Sequence, residues 1–225
     1  MPRWFLLTLL PAIVAAAWPP EISNELPAAA VTQLARSLDA STGVAKHLWR
    51  DTPPLNTDGT VNGYVEISRG DRRKWEFDMA ANARAIDRMI PAEIGGYPVN
   101  YGFVPQTVSY DGDPFDVLVL GPPIEGGQFV RGIIVGLLLM DDEKGSDGKV
   151  VISPITNGRP DYALTEHDRQ TIADYFRRYK LLEPGTFSHV SGWGSIEDGR
   201  ALVRITHAFF QNCRRVKGTT CRVSR

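Results

Sequence analysis

The sequence predicts a mainly β protein with flanking helices, organised as an antiparallel β-barrel with two late α-helices. Two patterns carry that expectation. From Gly63 onward, short stretches either alternate apolar and polar residues or run apolar at strand length. Helical periodicity in that region is confined to two windows near the end, one after Thr165 and one over about 198–213. Strands followed by helices fit a barrel with helices packed on its outside. Composition agrees: 225 residues, 43% hydrophobic and 23% charged, hold one full core and leave room for extensions.

The elements follow in order. Arg3 precedes the apolar run Trp4 to Val14, which ends in Ala15-Ala16-Ala17. A basic start, a short apolar stretch and small residues describe a secretory signal peptide over residues 1–17, removed after Ala17. The run is shorter than the ~20 residues that a membrane-spanning helix needs. Residues 18–60 form an N-terminal extension interrupted by Pro19, Pro20, Pro27, Pro53 and Pro54, with a short helix over Ala28 to Leu38. A barrel domain is expected over 61–213 and a tail over 214–225. Tyr64 to Ser68 and Lys74 to Asp78 alternate as half-buried strands do, joined by the polar turn 69–73, and Ala85 to Arg88 is a shorter strand. Residues 93–105, rich in glycine and interrupted by proline, read as irregular chain wrapped over a core. Strands follow near 115–121, 129–140 and 149–153. Thr165 and Asp168 have capping-box spacing, Ile172, Tyr175, Phe176 and Tyr179 continue it helically, and Pro184-Gly185 ends it. In the last helix Leu202, Ile205, Phe209 and Phe210 face the core.

Chemistry concentrates in Asp111-Gly112-Asp113-Pro114-Phe115-Asp116, which runs into the apolar strand Val117 to Leu120. Ionised carboxylates beside a core must be paired or neutralised. A second acidic group, Asp141-Asp142-Glu143 with Asp147, follows the next apolar run. Two acidic loops at strand ends suggest one cation site. The candidate donors Asp111, Asp113, Asp116, Asp142 and Asp147 are all oxygen donors, and all histidines and cysteines lie elsewhere. Such ligation favours Mg²⁺, Mn²⁺ or Ca²⁺ over zinc or copper. An EF-hand is excluded, since Phe115, Asp116 and Pro122 occupy loop positions five, six and twelve. Mg²⁺ sites that act on phosphates also need cations and hydroxyls, and Lys74, Arg88, Lys149, Lys180, Tyr97, Tyr101 and Tyr179 are available. No P-loop motif is present. A formal net charge of -1 gives no nucleic-acid or membrane-surface footprint.

With Val65-Glu66-Ile67, Lys74-Trp75-Glu76, Asp87-Arg88, Tyr97 to Gly102, Met140 to Glu143, Asp147-Gly148-Lys149 and Tyr179-Lys180, the Asp111 to Val117 segment resembles the signature of the soluble, Mg²⁺-dependent inorganic pyrophosphatases of family I. The likeness runs from about Tyr64 to about Glu183. It implies an OB-like β-barrel, a homo-oligomer (dimer or hexamer), and hydrolysis of pyrophosphate to two phosphates by a metal-activated water. It further implies that Asp111, Asp116 and Asp147 bind the activating metal, with Asp116 bridging to a second, and that Asp142 with Asp147 holds further Mg²⁺, for which Mn²⁺ is a possible substitute. Glu66 and Glu76 would act through coordinated waters, and Asp113 would be the general base. Lys74, Arg88, Tyr101, Tyr179 and Lys180 would bind the phosphates, supported by Lys149 and Tyr97. Two departures stand out: the Glu66–Lys74 connection is one residue shorter than in many relatives, and Asp141 precedes Asp142.

Two other readings compete. A non-catalytic extracellular barrel that binds Ca²⁺ or an anion would need the acidic loops but not the joint set of cations and tyrosines. An oligonucleotide-binding barrel would need a basic groove that the chain lacks. The leader implies an exported protein, periplasmic or secreted. In that compartment Cys213 and Cys221 could form a disulfide across a short loop, the alternative being two unpaired thiols in the tail.

Overall fold

The computed structural model describes residues 23–213 and 221–222. The expected signal peptide and most of the tail lie outside them. In chain order the elements are β1 (Glu25–Leu26), α1 (Ala28–Ser41), α2 (Leu48–Asp51), β2 (Val61–Ile67), β3 (Arg73–Asp78), β4 (Ala83–Met89), β5 (Asn100–Phe103), β6 (Asp116–Val119), β7 (Phe129–Asp142), β8 (Gly145–Ser146), β9 (Lys149–Thr156), β10 (Arg159–Pro160), α3 (Glu166–Arg178), β11 (Ser188–Gly194), α4 (Ile196–Cys213) and β12 (Cys221–Arg222).

The main sheet runs β10-β9-β6-β5-β2-β7-β11, and an additional β7–β9 pairing joins two of its strands into a ring. β9, β6, β5, β2 and β7 thus close on themselves, as in an OB-like barrel. The 14-residue β7 makes closure possible, since it pairs in turn with β2 over 129–132, β9 over 132–138 and β11 over 137–142. The junctions of the ring are antiparallel except β6–β9, which is parallel. That departs from the all-antiparallel expectation, because the chain crosses from β6 to β9 through the whole of β7. β3 and β4 form a separate hairpin, with Lys74 opposite Arg88.

Continuous apolar runs in β6, β7 and β9 have a simple cause. Val117 and Val119, Leu137 and Leu139, and Val150 and Ile152 point into one core cluster. Leu118, Leu138, Met140 and Val151 point to the opposite face, where α3 packs with Ile172, Tyr175 and Phe176. Strands buried on both faces need not alternate. A third cluster seats α1 and α4 through Leu34, Trp49, Phe209 and Phe210.

The capping box is formed: the Asp168 backbone N–H donates to Thr165 Oγ1 at 3.1 Å, and the Thr165 N–H donates to Asp168 Oδ2 at 3.0 Å. Two strands differ from the sequence reading. Asn100–Phe103, inside the stretch read as irregular, is β5, held between β2 and β6. Ser188–Gly194 is β11, recruited by the far end of β7. β1 pairs with β12, which ties the extension to the tail.

Candidate active site

A cavity of about 940 Å³ opens where the ends of β6, β7 and β9 meet the β3–β4 hairpin and the end of α3. Every residue of the expected site lines it: Asp111, Asp113, Asp116, Asp142, Asp147, Glu66, Glu76, Lys74, Arg88, Lys149, Lys180, Tyr97, Tyr101 and Tyr179.

The scaffold explains the convergence. Val117 pairs with Val150 in parallel register, so the residues before them, Asp116 and Lys149, start adjacent strands side by side. Buried Lys149 donates to Asp116, and to Asp147 Oδ1 at 2.8 Å. Asp147 is tethered by its own N–H to Met140 O at 2.9 Å. Asp111 and Asp113 share a turn closed by the Asp113 N–H on Asp111 Oδ1 at 3.0 Å. Gly112 within it takes φ +93°, a left-handed conformation suited to glycine.

Each acidic pair has an ammonium group beside it. Lys144 lies 3.8 Å from Asp111 and 3.5 Å from Asp113. Lys180 donates to Asp142 at 2.8 Å and to Glu143 at 2.9 Å. On the hairpin, Lys74 meets Glu76 and, at 3.1 Å, Asp87, while Arg88 meets Asp87 and Glu183. Lys144 and Glu183 have no role in the sequence reading, and Asp87 enters it only as the neighbour of Arg88. Each is an ordinary charged residue there, and only the fold makes it a partner.

Electrostatics bear on what the cavity can hold. Burial pushes the Asp147 carboxyl up to about 7; Asp116 adds to the push and Lys149 opposes it. Burial and the Asp111 charge push half-buried Asp113 up to about 6. Glu66, accepting the Phe77 N–H at 2.7 Å, is raised well above the usual carboxylate range by burial and by Asp116. Burial also raises Tyr97, Tyr101 and Tyr179, so their hydroxyls stay protonated donors at neutral pH. Among the described residues no three Asp, Glu, His or Cys side chains gather closely enough to enclose one ion; Lys149 contacts both Asp116 and Asp147, and Lys144 lies beside Asp111 and Asp113. The donor set nonetheless fits a hard divalent cation: crowded carboxylates, with no histidine or cysteine among the lining residues.

Known proteins resemble this chain over the region that carries the cavity's carboxylates. Residues 63–211 match the family model described as inorganic pyrophosphatase. The chain is 35% identical over 160 residues to the inorganic pyrophosphatase of Saccharolobus solfataricus, covering 68% of this chain and 92% of that protein. It is 35% identical over 159 residues to that of Caulobacter vibrioides, covering 67% and 89%. The crystal structure of the Thermus thermophilus inorganic pyrophosphatase superposes with a TM-score of 0.67 at 35% identity, covering 74% of this chain and 99% of that one. From the matched region, the shared structure and the ordered residues of the cavity, the chain belongs to the soluble inorganic pyrophosphatases of family I.

Proposed function

We infer that this chain is an inorganic diphosphatase that hydrolyses pyrophosphate to two phosphates with the help of Mg²⁺. One observation carries the reading: the oxygen-donor set and the set of cations and tyrosines line the same cavity. A Ca²⁺- or anion-binding barrel without turnover would not need both.

Asp111, Asp116, Asp142 and Asp147 would hold the divalent ions, with Mn²⁺ a possible substitute for Mg²⁺, and Glu66 and Glu76 would support them through waters. When bound, such ions screen the phosphoryl oxygens and acidify the attacking water. Asp113 accepts the proton of that water; titrating near 6, it is a base at neutral pH without being strongly basic. Lys74 and Arg88 face each other across the β3–β4 register and bind one end of the substrate. Lys180 and Tyr179, at the end of α3, bind the other, with Tyr101 donating from β5. Lys149 and Tyr97 support them from buried positions. Fixed donors of this kind stabilise charge that develops on the transferred and leaving groups.

Phosphate release from pyrophosphate with Mg²⁺, for wild type against Asp113→Asn, tests the reading. Turnover in the wild type and a drop of roughly a hundredfold or more in kcat for the variant are expected. Equal rates would remove Asp113 from its role.

We propose further that the mature chain is exported after cleavage near Ala17, with Cys213 and Cys221 joined. Supporting the bridge, no free cysteine occurs among the described residues, and Cys213 is buried at the end of α4. The Cys221 side chain lies outside what is described. No helix among the described residues is long and apolar enough to cross a membrane. A mature chain beginning near Trp18 in the exported fraction is the expected outcome of N-terminal sequencing. Exposed Ile86, Met89, Leu181 and Leu182 offer apolar surface for a homo-oligomer, which sedimentation would measure.

A further inference from the structure

The cavity has a wall that the family region does not supply. The family match begins at residue 63, yet Gln33, Arg36, Ser37 and Ala40 of α1 line the same space as Asp111 and Asp113. The helix is seated firmly against the acidic turn. A Cβ built on Gly112 would lie 2.6 Å from Gln33 Cβ and 2.9 Å from the Ala30 carbonyl oxygen. Leu34, one residue after Gln33, is buried in the cluster with Phe209 and Phe210, so that face of α1 is anchored in the core. The helix that carries the residues facing the cavity is therefore fixed in place.

Arg36 differs from the other cavity cations just described. Lys74, Arg88, Lys144, Lys149 and Lys180 are each engaged with carboxylates. Arg36 is exposed and makes no ion pair among the described residues. An unengaged guanidinium on the wall of an anion-binding cavity attracts the substrate without first giving up a partner, and its planar fork suits phosphoryl oxygens.

We propose that Arg36, carried by the extension, is an additional substrate-binding residue that draws pyrophosphate into the cavity and contacts it there. This rests on the diphosphatase reading. Arg36 stands outside the bond-breaking machinery, so its contribution is to binding rather than to the chemical step, and it is screened by salt because it is exposed.

Steady-state kinetics on the full chain with pyrophosphate and Mg²⁺ tests it, with Arg36→Ala, Arg36→Glu and Arg36→Lys compared at low and high ionic strength. The expected result is a KM raised roughly two- to fivefold in Arg36→Ala, the scale of an exposed charge contact. A larger rise is expected in Arg36→Glu, recovery in Arg36→Lys, kcat unchanged and the differences narrowed by salt. KM unchanged in both Arg36→Ala and Arg36→Glu would overturn the proposal, as would a fall in kcat and thermal midpoint without a change in KM. An inactive wild type would instead strike at the diphosphatase reading itself.

Discussion

Lys149 Nζ lies 2.8 Å from Asp147 Oδ1 and also contacts Asp116, which places one buried ammonium between two carboxylates that begin or precede adjacent parallel strands. The arrangement follows from register. Because β6 and β9 run parallel, their first residues lie at the same end of the barrel, and their charges must be balanced there. Lys149 supplies that balancing charge, and the same two carboxylates face the cavity that a divalent ion would enter.

Removing that ammonium leaves Asp116 and Asp147 crowded and unbalanced. Lys149→Met should destabilise the metal-free protein by about 3–5 kcal/mol, the cost of breaking a buried ion pair on one side. Urea unfolding measures it. Addition of Mg²⁺ should narrow the gap between variant and wild type, since the ions restore positive charge at the same carboxylates.

The raised carboxyls set a pH dependence. Asp113 titrates near 6 and Asp147 near 7, above the ordinary value of 3.8. A folded-state value above the unfolded one means that the fold binds the proton more tightly. The stability this gives is complete below about 4 and is lost as pH rises through 6 to 7. The thermal midpoint of the metal-free protein should therefore fall between pH 5 and pH 8, and the fall should be smaller in Asp147→Asn. A midpoint that rises across this window contradicts the assignment.

Gly102 lets β2 and β5 approach. A Cβ there would stand 1.8 Å from the Tyr64 carbonyl oxygen and 2.9 Å from the Glu66 nitrogen. Backbone, unlike the end of a side chain, cannot yield cheaply. Gly102→Ala should cost at least about 3 kcal/mol, at the upper end of overpacking effects. It should also lower activity, because Tyr101 and Glu66 ride on the displaced strands. Denaturant midpoints and phosphate release measure the two effects separately.

The cap of α3 gives a contrasting case. Thr165→Ala removes the hydroxyl that accepts the Asp168 N–H and should cost about 1 kcal/mol. Lys180 is held at the far end of the helix by Asp142 and Glu143. A shift in thermal midpoint with kcat unchanged is therefore expected.

Much of this was legible because the chemistry sits at strand ends, where sequence pattern is clearest. Asp116 opens an unbroken apolar run, Asp142 closes another, and the Thr165 box marks α3 without help from packing. β5 was hidden because Asn100–Phe103 is short and flanked by glycine and proline, so its pairing with β2 and β6 defines it rather than its own residues. β11 was hidden for a similar reason: Ser188, Ser191, Gly192 and Gly194 have little strand preference, and the long β7 imposes the pairing. The contribution of α1 to the cavity wall could not be read from residues 28–41, whose pattern reports only an amphipathic helix. Which loop that helix leans on is decided by tertiary packing under Gly112.

The most direct test of the account is phosphate release from pyrophosphate with Mg²⁺, for wild type and Asp116→Asn at equal folded concentration. Asp116 touches Lys149 and lines the cavity with the other carboxylates, so rapid turnover is expected in the wild type and a loss of roughly a hundredfold or more in the variant. No turnover by the wild type with any divalent cation, or an undiminished rate in Asp116→Asn, would contradict it.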